Sequence, residues 1–237
     1  IACHYNDTTL LTKNADLVQT IEIQGFIDKN SDEQQRVLRD DVRSAITNHL
    51  KDSNVAVYIH IIRDYKNIMP TPYQGSDSIV TLVENEWCAQ NNWDRQLVNT
   101  LYITLVKKGP KLKLFNIADF LSSIVSYTLK HKYKSHLEKS INILDNITKG
   151  IRDDLKIFSS KILAVIKEED AFYSEPLSFY YYLTHFQKKK IKIEQCDFSK
   201  LLADFNISTD FSVLCNSSGN QKKFAAVYSL ELKSSLE

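Results

Sequence analysis

The residues able to do chemistry are scattered. Six histidines and four cysteines occur in the 237-residue chain. His131 and His136 stand five apart in a basic stretch, whereas two metal ligands on one helix face need a spacing of four. His60 sits inside the apolar run "VAVYIHIIRDY" and reads as a hydrogen-bonded core or sheet-end residue, not as a base. Cys3, Cys88, Cys196 and Cys215 lie far apart without a C-x-x-C pair, so they make no zinc framework. A chain of 27.4 kDa with 43% hydrophobic residues can bury a core without disulfides, and free thiols are expected.

Phosphate chemistry fares no better. The five glycines, at 25, 75, 109, 150 and 219, frame neither a GxxxxGK[ST] loop nor a GxGxxG turn. GxSxG and HExxH are absent as well. The acidic runs Asp40-Asp41 and Glu168-Glu169-Asp170 read as a solvated face and a helix end. The sequence predicts no catalytic residue, no metal site and no cofactor site in this chain.

One basic cluster stands out. Lys130, Lys132, Lys134 and Lys139, with Tyr127 and Tyr133 interleaved, are the candidate interaction surface, able to meet phosphates of nucleic acid or of lipid headgroups. The plain alternative is the wet face of a helix. A net charge of +1 and a pI near 7.8 give the whole chain no electrostatic footprint for nucleic acid. No apolar run reaches the roughly 20 residues of a membrane-spanning helix. The chain opens on Ile1 and holds a single methionine, Met69, as a processed product or a cut piece would.

The elements that must carry these residues follow from periodicity. Thr9–Thr12 and the strand from Leu17 form a hairpin around the turn residues Lys13 to Asp16. Leu17, Ile21 and Ile23 face inward and Thr20, Glu22 and Gln24 outward, a half-buried strand. A helix follows, capped by Ser31 and Gln34, with a stripe of Leu38, Val42, Ala45 and His49 and an Arg36–Asp40 pair. The run 55–65 is apolar on both faces, as a central strand covered on each side would be. "MPTPYQGSDS" is a loop. A short helix over 78–90 presents Ile79, Leu82, Val83 and Trp87, and a second two-sided strand spans 97–106.

The middle third reads as helical. Leu137, Ile141, Leu144, Ile151, Leu155, Phe158, Ile162 and Val165 follow heptad steps, with Thr148 in the one gap. One long helix, or two broken near Gly150, packs against the segment 118–130 or offers a seam to another protein. After Pro176 comes the helical "LSFYYYLTHF", then an extended piece at 191–194 and a short helix over 197–206. The chain closes with a hairpin of 211–215 and 224–232 around a turn at 216–220. The class is α+β: a mixed sheet opening β-β-α-β-α-β, a long helical middle and a C-terminal hairpin. The expected domains are a sheet lobe over 1–110, a helical region over 111–190, and a short helix with hairpin over 191–237 that starts a second sheet unit.

In order and spacing these pieces resemble one family. "HYNDTTLLTKNADLVQTIEIQGF" with its Ile21-Glu22-Ile23-Gln24-Gly25 unit is similar to the opening of the type IV secretion and conjugal-transfer ATPases, the CagE/TrbE/VirB family. "LRDDVRSAI" matches the family's next helix, and "VYIHIIRD" its strand ending in histidine and arginine. Asp64 stands where the family often has a second arginine. "NTLYITLVKKG" and "YSEPLSFYYYL" resemble the following strand and a later helical region.

The resemblance covers nearly the whole chain. It implies an N-terminal portion, with the RecA-like motor and its ATP and magnesium sites absent from this chain. It further implies a docking and assembly role at the cytoplasmic face of a bacterial inner membrane. Partners would be other secretion components, inner-membrane proteins and further copies of the full-length protein, with peripheral membrane contact. Two rival readings stay open, a stand-alone nucleic-acid-binding module using the basic helix and a small-molecule enzyme.

Overall fold

The structure, a computed structural model, describes residues 1, 3–24, 32–66, 78–90, 96–109, 127–193, 198, 202, 207–210, 213–218 and 221–225. In chain order these form β1 (Cys3–His4), β2 (Leu10–Leu11), β3 (Leu17–Ile23), α1 (Asp32–His49), β4 (Val55–Lys66), α2 (Ser78–Gln90) and β5 (Gln96–Lys107). Next come α3 (Tyr127–Asp154), a 3-10 turn (Lys156–Phe158), β6 (Ser160–Ile162), β7 (Val165–Glu168), β8 (Ala171–Ser174) and α4 (Glu175–His185). The last are β9 (Ile191–Lys192), β10 (Ile207–Asp210), β11 (Val213–Ser218) and β12 (Gln221–Ala225). The class is α+β. Two compact units share the chain: residues 1–19, 107–141 and 163–237 make one, and 20–106 with 142–162 the other.

In the first unit, β1 pairs with β2 and β2 with the start of β3, both antiparallel, in register Leu10↔Val18 and Leu11↔Leu17. The turn between them is built as its residues require. Thr12 Oγ1 accepts from the amides of Asn14 (3.2 Å) and Asp16 (3.0 Å), and Ala15 adopts a left-handed φ of 63°. The Gly109 amide donates to Asp16 Oδ1 at 2.9 Å, and a Cβ at Gly109 would overlap the Ala15 carbonyl. A second antiparallel sheet runs β7-β8-β9, and a third β10-β11-β12. Leu10, Leu17, Leu163 and Leu177 are buried here.

In the second unit the strands lie in the order β3-β5-β4, with β6 antiparallel to β3 in register Ile21↔Ile162. Ile21, Ile23, Ile103, Leu105, Leu144, Ile151, Leu155 and Phe158 are buried, each contributing about 1.5–3 kcal/mol. The half-buried strand expected at 17–23 is instead covered on both faces. Gln19, Thr20 and Ile21 are all buried. Thr20 reaches that state because its hydroxyl pairs with that of Thr104 at 3.2 Å. Glu22 keeps only 15% of its side chain exposed, because Lys161 (3.2 Å) and the Tyr102 hydroxyl (3.3 Å) hold it.

The opposite correction applies to β4. It ends the strand order instead of standing in the middle, and Tyr58, Ile59 and Ile61 are exposed. An apolar run shows that something covers a strand, not which chain supplies the cover. β5 takes the central place, with Val98, Ile103 and Leu105 buried. In α1, Arg36 pairs with Glu33 at 3.2 Å, and Asp40 meets Arg39 at 3.5 Å, so the expected Arg36–Asp40 pair does not form. The carboxylate one turn towards the N-terminus is the one an exposed helical side chain leans over. Val42 and Ala45 are buried as the stripe requires. The Ser31 cap, the expected loop 69–78 apart from Ser78, which opens α2, and positions 118–126 of the segment 118–130 lie outside the described residues.

The heptad reading holds to Leu155 and then fails. α3 runs unbroken through Gly150, and Leu137, Ile141, Leu144, Ile151 and Leu155 are buried. Phe158 then lies in the 3-10 turn, Ile162 in β6 and Val165 in β7. Spacing alone does not register the chain reversal at Ser159, whose φ is 53°. Glu168-Glu169-Asp170 is likewise the β7–β8 turn, not a helix end, with Glu169 at φ 51°. At the C-terminus β10 precedes the expected hairpin, and β11 continues to Ser218, leaving only positions 219–220 to connect it to Gln221.

Gly150 is placed by steric need. A Cβ there would overlap the imidazole of His49, whose Nε2–H donates to Asp154 Oδ2 at 2.9 Å. Gly150→Ala should therefore lose about 1–3 kcal/mol in urea unfolding. With His49→Ala already present, the same substitution should gain about 1 kcal/mol, the ordinary helix preference of alanine over glycine. A gain in the wild-type background would contradict the packing described.

Candidate functional site

A serine beside a histidine is the first arrangement to weigh as chemistry. The Ser174 hydroxyl lies 2.8 Å from His4 Nε2, and His4 Nδ1 lies 3.2 Å from the Asn6 carbonyl. A carbonyl only accepts, so Nδ1 carries the ring proton and Nε2 receives the serine proton. This is the polarity of a base and its nucleophile. Two facts remove the chemistry. Ser174 is fully buried, and its oxygen already accepts the Leu177 amide at 3.0 Å as the N-cap of α4. The relay ties the N-terminal strand to a helix start, with the Phe198 ring edge-on to the imidazole at 5.6 Å. It is a structural joint.

The signal for half of it was legible, since Ser-Glu-Pro before an apolar run marks a helix start with proline in the first turn. The other half spans 170 positions and left no local trace.

Burial pushes the His4 pKa down, partly offset by the Asn6 carbonyl and by Asp7, and burial pushes His60 down as well. His60 sits half-buried in β4, as a sheet residue. The four lysines of the candidate surface all fall on α3, and Lys139 is exposed; the side chains of Lys130, Lys132 and Lys134 lie outside the described residues. His136 is exposed, and His131 shares the undescribed stretch.

Cys3 is a free, exposed thiol. Among the described residues no group of three histidine, cysteine or carboxylate side chains could hold a metal ion. Among them, too, no helix is long and apolar enough to cross a membrane.

The sequence reading did not anticipate where apolar side chains would be left in the open. Among the described residues of the second unit, large apolar side chains are exposed at Tyr58, Ile59 and Ile61 on β4 and at Ile79, Val80, Leu82, Val83 and Trp87 on α2, as well as at Val37, Ile143 and Ile157. The stripe that would face a core is 73% exposed at Ile79, 61% at Leu82, 60% at Val83 and 52% at Trp87. Scattered apolar residues on a surface are ordinary, whereas a contiguous apolar patch marks contact with another body.

Comparison with known proteins gives that surface its setting. Residues 8–113 match the family described as the type IV secretion system ATPase VirB4/TrbE, N-terminal domain. Over those residues the chain is similar to the N-terminal domain of a type IV secretion system ATPase. The type IV secretion system protein virB4 of Brucella suis biovar 1 (strain 1330) is 22% identical over 216 residues, covering 82% of this chain and 24% of that protein. The virB4 proteins of Brucella abortus and Brucella melitensis show the same identity and coverage. The chain therefore spans about a quarter of the length of the curated relatives it matches.

Stability should depend on pH through the two histidines. Their folded pKa values lie below the ordinary 6.5, so the unfolded chain binds protons more readily. Their contribution is complete above pH 6.5 and is lost as pH falls from there through the folded values. His4→Gln should flatten part of that acid limb in denaturant melts. Ser174→Ala should cost about 1 kcal/mol for the lost cap and raise the His4 pKa in an NMR titration. An unchanged titration would refute the relay.

Proposed function

We propose that this chain is the docking and assembly part of a bacterial type IV secretion ATPase, and that it hydrolyses no ATP itself. One observation carries the reading. A chain whose residues 8–113 match the N-terminal domain of that ATPase family frames no GxxxxGK[ST] loop around any of its five glycines. Without such a loop, backbone amides and a lysine cannot cradle the β- and γ-phosphates.

The nucleotide and magnesium sites then belong to the larger part of the family protein that this chain does not span. That part would energise channel assembly and substrate transport. This part would hold the engine to its neighbours at the cytoplasmic face of the inner membrane: other secretion components, inner-membrane proteins and further copies. The exposed apolar side chains of β4 and α2 suit a contact role better than a catalytic one. The lysines enter the reading as candidate contact residues on α3, with Lys139 exposed.

The purified chain, incubated with magnesium and ATP, should release phosphate no faster than buffer. A family protein carrying both this part and the phosphate loop should turn over. Magnesium-dependent turnover by the chain alone would overturn the proposal.

A further inference from the structure

The serine at the start of α4 is where the first unit is fastened. The backbone of Ser174, at the end of β8, lies opposite Val165 of β7 and Ile191 of β9. Its hydroxyl oxygen caps α4 through the Leu177 amide at 3.0 Å, and its carbonyl accepts the Ser178 hydroxyl at 2.7 Å. Ser178 Oγ in turn accepts the Ile191 amide at 3.0 Å. His4 of β1 closes the cluster, 2.8 Å from Ser174 Oγ, and the nearby Asp7 carbonyl accepts the Val165 amide at 2.8 Å. Strands β1, β7, β8 and β9 and helix α4 therefore meet at one hydroxyl, whose proton goes to the lone pair on His4 Nε2.

A proton from solvent can take that lone pair. Nε2 then becomes a donor. Ser174 Oγ, which already receives the Leu177 amide, would receive a second N–H while its own proton loses its acceptor. Ser174 is fully buried, so bulk water does not replace the lost partner. The imidazolium would also face the first turn of α4, whose free N–H groups form the positive end of the helix dipole. The Asn6 carbonyl and the Asp7 carboxylate favour a charged ring, and burial outweighs both. Glu175, the other carboxylate at the junction, accepts the Ala164 amide at 3.1 Å.

We propose that His4 is an acid-opened latch: uptake of one proton by its ring unfastens β1 from Ser174 and frays the first turn of α4, while the rest of the chain stays folded. Strand β2 keeps its own pairing with β3 and the turn at Thr12, so the opening stops short of that hairpin. The opening constant rises about tenfold for each unit that pH falls between the open ring's value, near 6.5, and the lower value of the closed ring. Below the closed value it levels off. The inference goes beyond the secretion-ATPase reading and stands independently of it, because it uses only contacts within the first unit.

Hydrogen exchange read by NMR tests the latch, with pH lowered from about 8 to about 5 across the ordinary histidine range. The protection factors of the Leu177 and Val165 amides should fall in step with the titration of the His4 ring and then level off. Those of Ile21 and Leu144, in the core of the second unit, should not change. His4→Gln can take the serine proton through Oε1 but does not titrate, and it should hold Leu177 and Val165 at one protection level throughout. Asp7→Asn removes the carboxylate that favours the charged ring, and should move the levelling-off point to lower pH. This second variant reads the latch even where the His4 substitution disturbs folding.

Protection at Leu177 and Val165 that is indifferent to pH overturns the proposal. So does a fall shared by Ile21 and Leu144, which would mark unfolding of the whole chain, or a fall that persists in His4→Gln.

Discussion

The second unit depends on a strand whose polar side is covered. Once β3 is buried on both faces, every polar group on it needs a protein partner, because the exchange with water is gone. Thr20 finds Thr104, and Glu22 finds Tyr102 and Lys161. These partners come from β5 and β6, elements 80 or more positions away in sequence. The strand order around β3 therefore brings both apolar packing and specific polar pairing. A register shift by one residue would put Thr20 and Glu22 on the apolar side and strand both.

That arrangement explains what was and was not legible. The alternation of Leu17, Ile21 and Ile23 correctly announced a strand, and the turn residues 13–16 announced the reversal before it. The burial of Thr20 was invisible, since a threonine facing water and one facing a buried threonine leave the same pattern. The apolar stripe of α3 was read correctly as far as Leu155. Beyond it, the spacing persisted while the backbone changed from helix to 3-10 turn to strand, and nothing in spacing alone separates these. The β7–β8 turn was missed because its acidic residues suit a helix end equally well.

The glycine positions exclude a GxxxxGK[ST] loop from the sequence itself. The His4–Ser174 pair shows why geometry needs a second question. Distance and proton direction fit a nucleophile and base, while burial and the capping bond to Leu177 make it part of the frame.

The edge strand β4 carries one more consequence. A stretch of this length, rich in isoleucine, tyrosine and valine, has backbone groups along its outer side that another extended chain can match. Its single lysine, Lys66, comes at the far end, and proline, which would block such pairing, is absent from it. Among the described residues no strand pairs with that rim, which leaves it a template for a β-prone neighbour. Cover for that rim would then protect solubility, and overproduction of the bare chain would favour inclusion bodies.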